Sequence, residues 1–428
     1  MNNLVAALTK KYFPESTQTL VIGAIPVHAL AEIYGTPFYA YDRGVLDKKF
    51  TELRDALPPR FSIHYSIKAN PGSSIVRYFL GRGCGLEIAS GGEFARAVAA
   101  GCAPKRILFA GPAKTEEELT FVLANGIGEI HMESLGEADR IAKVCRRLHL
   151  RARVGIRVNP VGDAEGGAMR MGGRAIQFGV DEETLDEVLD NVLAKPELDL
   201  CGIHLFTGTQ ILDAEVLLRQ YDHGLQLARR VSLRVGSPLG TLDFGGGLGI
   251  PYFAHETELD LAVLRRGLEI LCEQADEDNT FAGTQFIVEP GRFLVGEAGV
   301  YVTRVIDIKI SRGKKFLIVD GGMNHHLAAS GNLGQTIKRN YPIGVLTKLG
   351  SAPQEPVEIV GPLCTPLDTM GRSVKVPRVE IGDLIGIFQS GAYAYSASPI
   401  GFLSRPAPAE IWIEGPKHSS VPRNERDC

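Results

Sequence analysis

Between residues 60 and 290 the chain switches repeatedly between two hydrophobic periods, and this alternation constrains the fold more than any other feature. Runs rich in β-branched and aromatic residues stand at Phe61–Ser66, Gly85–Ala89, Ile107–Ala110, Glu129–Met132, Val154–Val158, Leu200–Phe206, Leu242–Gly245 and Phe286–Glu289. Helical apolar spacing fills Gly92–Ala100, Thr115–Ala124, Leu135–Leu148, Asp181–Leu193, Ala214–Val235 and Glu258–Ala275. Thr115 with Glu118, and Ser134 with Glu137, each fit a capping box, in which hydroxyl and carboxylate satisfy each other's free backbone N–H groups. Eight strands alternating with helices predict an α/β fold, a (β/α)8 TIM barrel; an open doubly wound sheet is the competing arrangement.

The rhythm stops after about Gly296. Val300–Ser311 and Lys315–Val319 read as strands across an Arg312-Gly313-Lys314 turn. Val357–Val360, Val379–Ile381, Leu384–Phe388 and Glu410–Trp412 are further short strands with no convincing helices between them. A chain of 428 residues exceeds one ordinary core, so the expected partition is a barrel over 43–296 and a β-rich domain from 1–42 plus 297–414. The extended segment Thr36–Asp42 fits either domain, and 415–428 reads as a polar, loosely held tail.

Composition removes several function classes. The balance of 46 basic and 50 acidic residues gives no electrostatic reason to bind nucleic acid or an anionic membrane. No apolar run reaches a membrane-spanning length, and the first eleven residues lack the order of a secretory signal. Seven scattered cysteines without CxxC pairs predict reduced thiols in a cytoplasm. No metal is expected, because the ten histidines show no zinc-type spacing and the adjacent His325 and His326 would point apart on a strand.

Catalytic groups of a barrel gather at the carboxyl ends of its strands. Past strand 1 stands Lys68; strand 2 runs into Glu87 and then Glu93. Strand 5 is followed by Arg157 and Asn159, and strand 6 by His204-Leu-Phe206-Thr-Gly-Thr209-Gln. Strand 7 ends in Asp243-Phe-Gly-Gly246-Gly247-Leu-Gly, and strand 8 in Glu289-Pro-Gly291-Arg292. A lysine closing an apolar strand is an amine that burial would deprotonate and so suit to a Schiff base with an aldehyde. The glycine run offers backbone N–H groups to a phosphate, although it lacks the sixth-position glycine of a dinucleotide-binding loop. Arg292 adds a bidentate donor, and Glu289 suits a protonated ring nitrogen. Amine, anion cradle and carboxylate together describe a pyridoxal 5′-phosphate site.

These motifs, with Tyr65–Asn70, Gly85–Glu93, Arg157–Pro160, Gly245–Tyr252, Asp320-Gly-Gly, Gly361–Asp368 and Gly391-Ala-Tyr393, resemble the fold-type III pyridoxal-phosphate decarboxylases of diaminopimelate, ornithine and arginine. The resemblance covers almost the whole chain. It implies the barrel plus β-domain fold shared with alanine racemase, and a head-to-tail homodimer with shared active sites. It also implies that Lys68 holds the cofactor, with Glu93 beside it, and that Glu289 pairs with the pyridine nitrogen. Thr209, Gly246, Gly247, Arg292 and Tyr393 would hold the phosphate, with Glu87 and Gly291 lining the site. Cys364, reaching in from the partner subunit, would return a proton to the substrate's α-carbon.

Two departures bear on the substrate. Phe206 falls where the family's cofactor-stacking histidine lies, which leaves open whether Phe206 or His204 stacks on the ring. The family's Cys-Glu-Ser-Gly-Asp becomes Cys364-Thr365-Pro366-Leu367-Asp368, so the carboxylate that grips a distal amino group is lost. The Arg-Pro-Ala-Leu-Tyr segment is also replaced, by His325-His326-Leu-Ala-Ala. The Cys-Thr-Pro version is similar to specialised-metabolism decarboxylases of the butirosin and staphyloferrin B type, which act on carrier-bound glutamate or a citrate conjugate. The expected substrate is therefore larger or acidic, met by Thr365 and Asp368 and by Arg170 and Arg174 of the glycine-rich loop 162–174. The alternatives are a diaminopimelate decarboxylase with a variant pocket, an amino-acid racemase, and a cofactor-free regulatory homologue.

Overall fold

The computed structural model describes residues 3–161, 169–170, 175–335 and 337–415. The chain divides into two compact units, one formed by Glu52–Ile250 and Glu258–Gly291, the other by Met1–Thr51, Pro251–Thr257 and Arg292–Cys428. The first unit is a closed barrel of eight parallel strands: β1 (Phe61–Ser66), β2 (Gly85–Ile88), β3 (Ile107–Phe109), β4 (Glu129–Met132), β5 (Ala152–Asn159), β6 (Leu198–Leu205), β7 (Thr241–Asp243) and β8 (Gln285–Val288). Each pairs with the next in parallel register, and β8 closes on β1 through Phe286, Ile287 and Val288 opposite Phe61, Ser62 and Ile63. The strands lie where the β-branched runs predict them. The open doubly wound alternative is excluded by that closure.

Helices α1 (Ser73–Gly81), α2 (Gly91–Ala99), α3 (Glu116–Ala124), α4 (Leu135–Leu148), α5 (Leu185–Leu193), α6 (Ala214–Val235) and α7 (Leu261–Asp276) alternate with the strands. The Thr115 and Glu118 capping box forms in full at the start of α3. At α4 only half of one forms. Ser134 accepts from the Glu137 N–H, but the Glu137 carboxylate turns instead to Lys114 and the Glu133 N–H. A buried ammonium outcompetes a cap for that carboxylate.

The second unit is built on an eight-stranded, mostly antiparallel sheet. Its long strand β9 (Gly299–Ser311) pairs with β10 (Lys314–Val319), and β11 (Ile343–Val345), β12 (Glu355–Val360), β13 (Thr369–Val376), β14 (Leu384–Ile387) and β15 (Ala409–Ile413) complete it with Phe38–Asp42. Phe38–Asp42 pairs with β9 and β15, which assigns the early extended segment to this sheet. Val379–Ile381 is not a strand. It leads into a turn at Gly382, whose φ of +96° suits glycine, with Ile381 exposed. The strand lies instead at β13, whose alternating exposure of Arg372, Ser373 and Lys375 hides it from a search for apolar runs. Among the described residues, no helix is long and apolar enough to cross a membrane.

Candidate active site

On the barrel unit, β1 ends at Ser66 and one tight helical turn, Ile67–Ala69, presents Lys68. Its Nζ lies 2.8 Å from both carboxylate oxygens of Glu87. The register of β1 against β2 sets Ser66 opposite Glu87, and the Ser66 hydroxyl donates to the same carboxylate at 2.5 Å. Glu87 is buried while the lysine side chain is 42% exposed. The expectation of an amine desolvated by an apolar strand end is thus replaced by a rim lysine held by a buried carboxylate. Glu93 lies in the first turn of α2, where its carboxylate accepts from the Ala89 N–H at 2.6 Å. Burial pushes its carboxyl above the usual range, and the charge of Glu87 adds to this.

Inside the barrel, His131, His204, Asp243 and Glu289 bring their side-chain ligand atoms within 4.8 Å of one another, all buried. His204 Nε2 lies 3.4 Å from Glu289 Oε2. Burial lowers His204 to about 4, which keeps it neutral at pH 7 despite Glu289. Burial and then the charge of Glu289 push Asp243 well above the carboxylate range. Glu289 is the member of the pair whose pKa is lowered: burial opposes its charge, but the adjoining His204 imidazole and the positive charge of Lys68 outweigh it. Spacing alone gave no sign of this group, since its members come from β4, β6, β7 and the end of β8. The available signal was polar residues at alternate, inward positions of otherwise apolar strands, Glu129 and His131 on β4 above all.

The loops after β6 and β7 are laced together. Ile211 N–H donates to Gly247 O and Gly249 N–H to Ile211 O, each at 2.9 Å, and the Gln210 amide oxygen accepts from the Ile250 N–H. Gly245 and Gly247 have φ of +69° and +95°, and a Cβ on Gly246 would lie 2.6 Å from Glu289 O, so only glycines let the chain turn this closely. Phe206, half-buried, lies against Gly245 and Gly246, whereas His204 points into the barrel toward His131 and Glu289. Arg157, ion-paired to Glu133 at 2.9 Å, stands 5.8 Å from the Phe206 ring. Thr209 pairs through its backbone with Met169, and Gly208 with Arg170. Arg174 lies outside the described residues, and the structure describes only the backbone of Arg170.

On the β-rich unit, Arg292 donates to Tyr252 Oη at 3.0 Å and its guanidinium lies 4.7 Å from the centre of the Tyr393 ring. The Ser390–Tyr393 turn is clamped to β9 and the residues before it, with Ser390 N–H on Gly299 O and Gly391 N–H on Gly296 O. Neither Gly299 nor Gly391 has room for a side chain. Cys364 is exposed. The Thr365 hydroxyl accepts from the Leu367 N–H. Asp368 departs from the expected substrate role. Its two oxygens accept from the Met323 and Leu363 N–H groups at 2.7 and 2.8 Å, and Gly322 and Gly361 are packed against it, so it braces the loop from beneath.

Residues 43–296 match the model of the pyridoxal-dependent decarboxylases, pyridoxal-binding domain. The chain belongs to that family. It is 40% identical over 388 residues to the L-glutamyl-[BtrI acyl-carrier protein] decarboxylase of Niallia circulans, covering 90% of each chain. It is 31% identical over 385 residues to the 2-[(L-alanin-3-ylcarbamoyl)methyl]-2-hydroxybutanedioate decarboxylase of Staphylococcus aureus, covering 88% of this chain and 93% of that one. Among solved structures it resembles diaminopimelate decarboxylase from Helicobacter pylori complexed with L-lysine, at 30% identity and a TM-score of 0.81, covering 93% of this chain and 95% of that one. This pyridoxal-phosphate-dependent carboxy-lyase carries side chains that fit the cofactor. Glu289 Oε1 and Arg292 Nε are buried without a hydrogen-bond partner among the described residues, as groups awaiting a ring N–H and a phosphate would be.

Proposed function

We propose that this decarboxylase removes the α-carboxylate from the amino-acid centre of a larger or acidic substrate, such as a carrier-bound glutamyl group, in the assembly of a specialised metabolite. The observation that carries the reading is the loop Leu363–Asp368. Its only carboxylate is Asp368, which is held by the Met323 and Leu363 N–H groups, and Thr365 follows Cys364, so the loop places no carboxylate beside the cysteine to grip a distal ammonium. A dry site built for an ammonium and deprived of its counter-charge loses several kcal/mol for such a ligand. The Niallia circulans and Staphylococcus aureus relatives, whose substrates carry acidic or carrier-bound arms by name, support the same choice.

Pyridoxal phosphate supplies an electron-withdrawing ring that accepts the electron pair left as CO2 departs. Lys68 would hold it covalently, and Glu87 holds that amine at the rim. Gly246, Gly247, Thr209, Arg292 and Tyr393 would bind its phosphate with backbone and guanidinium donors. Glu289 would accept the ring N–H, with Phe206 rather than His204 lying on the ring face. The Cys364 thiol, contributed by a second copy in a homodimer, would donate the proton to the α-carbon. All six described cysteines are unpaired, which agrees with a cytoplasmic location.

The test is CO2 release from carrier-bound or amide-conjugated glutamyl substrates beside meso-diaminopimelate, lysine and ornithine. The expected result is at least a hundredfold higher kcat/KM for an acidic conjugate. Diaminopimelate turned over as fast as any conjugate would reject the reading, and α-hydrogen exchange without CO2 would favour the racemase.

A further inference from the structure

Barrel cores are ordinarily filled with Val, Ile and Leu. This one is crossed by a column of titratable side chains. Glu129 and His131 share the inward face of β4, and the Thr241 hydroxyl of β7 donates to Glu129 at 3.0 Å. His131 Nε2 lies 3.2 Å from Glu129 Oε1, and the His131 and His204 rings are 4.5 Å apart between centroids. His204 Nε2 then faces Glu289 Oε2 at 3.4 Å. Every member is at most 5% exposed.

Space has been cleared for the column. A Cβ at Gly155 of β5 would sit 2.7 Å from Glu129 Oε1 and 2.9 Å from His131 Cδ2. A Cβ at Gly202 of β6 would collide with Thr241, and one at Gly85 of β2 with the His64 ring. Burying this many polar groups is costly unless they are paired or used, and several are left unpartnered among the described residues: both nitrogens of His204, His131 Nδ1, Asp243 Oδ2 and Glu289 Oε1. The titratable and charged groups facing Glu289 are Asp243, His204, His131, His64 and Lys68.

We propose that Glu129, His131 and His204 form a positioning column that holds Glu289 turned so that its unpartnered oxygen meets the pyridine nitrogen of the cofactor. The inference rests on the reading that Glu289 is the ring-nitrogen partner. Glu129 anchors the lower imidazole, that ring sets the upper one, and the upper one restricts Glu289 to one orientation. The role lies upstream of the chemistry, since neither Glu129 nor His131 touches a reacting atom.

The experiment uses the full-length apoprotein titrated with pyridoxal 5′-phosphate and with its 1-deaza analogue, in which a ring C–H replaces the nitrogen. His131→Gln and the isosteric Glu129→Gln are compared with the wild type by fluorescence quenching, and circular dichroism checks folding. Each variant is expected to weaken pyridoxal phosphate about tenfold or more, and the analogue less than about twofold, because only the former has a nitrogen for Glu289 to meet. Equal losses for both ligands would mean the column only shapes the barrel, and no loss for either would mean it does nothing for the site; both results overturn the inference. A stoichiometric divalent ion in the purified protein would also overturn it, since the ion would occupy the same ligand atoms. Wild type that binds neither ligand would instead sink the cofactor assignment beneath it.

Discussion

Lys68 lies at the rim with its ammonium shared by two oxygens of Glu87, so the amine is aimed before any cofactor arrives. Lys68→Ala should abolish the visible absorption of reconstituted protein and lower decarboxylation at least about a thousandfold, read by spectrum and CO2 release. Cys364→Ala should slow turnover by about 10²–10⁴, the ordinary range for a lost general acid, with little change in the absorption spectrum. Thr365→Glu tests the loop directly. Restoring a carboxylate beside Cys364 should raise kcat/KM for a diamino acid by about tenfold and lower it for an acidic conjugate. The sequence pointed to Lys68, Cys364 and Thr365 because each closes a strand or sits in a motif. It gave no sign that Asp368 braces its loop, because hydrogen bonds to Met323 and Leu363 N–H groups leave no trace in the order of residues.

At the level of elements, the loops above β3 and β4 are pinned by a fully buried pair. Lys114 Nζ contacts Glu137 Oε1 at 2.6 Å and donates to the Gly111 and His131 carbonyls, with both side chains 1% exposed. Burial lowers the Lys114 pKa although Glu137 opposes it. Glu137→Ala, which strands that amine, should cost about 3–5 kcal/mol in denaturant unfolding, while Lys114→Met with Glu137→Leu together should cost far less. Thr115→Ala removes one half of the intact cap on α3 and should cost about 1 kcal/mol. The contrast between Thr115 and Ser134 is instructive. Both sites carry the same short motif, and only the presence of Lys114 decided that Glu137 would leave its cap.

Across the whole molecule, buried histidines tie stability to pH. Burial depresses His64 and His204 to about 4 and His326 to about 3. A depressed folded-state pKa contributes stability that is present above the unfolded value of about 6.5 and is lost as pH falls toward the folded value. Raised carboxyls such as Asp243 act in the opposite direction, so a single substitution gives the cleaner test. His326, bonded to Ser390 Oγ at 2.9 Å and ringed by Tyr39, Tyr301 and Tyr341, is shifted by burial alone. Below pH 6.5, His326→Gln should gain on the wild type by about 1.4 kcal/mol per pH unit, measured by denaturant unfolding at several pH values. A difference that stays flat with pH would mean His326 is charged in the fold. The periodicity of the chain determined the eight strands, their order and the lysine at the first strand's end, because hydrophobic period and strand-end position are local properties. Tertiary structure alone decided which carboxylate takes Lys68, that Asp368 braces a loop, and that Glu129, His131, His204 and Glu289 share one core. Barrel closure brings together side chains far apart in sequence, and no local pattern carries that information.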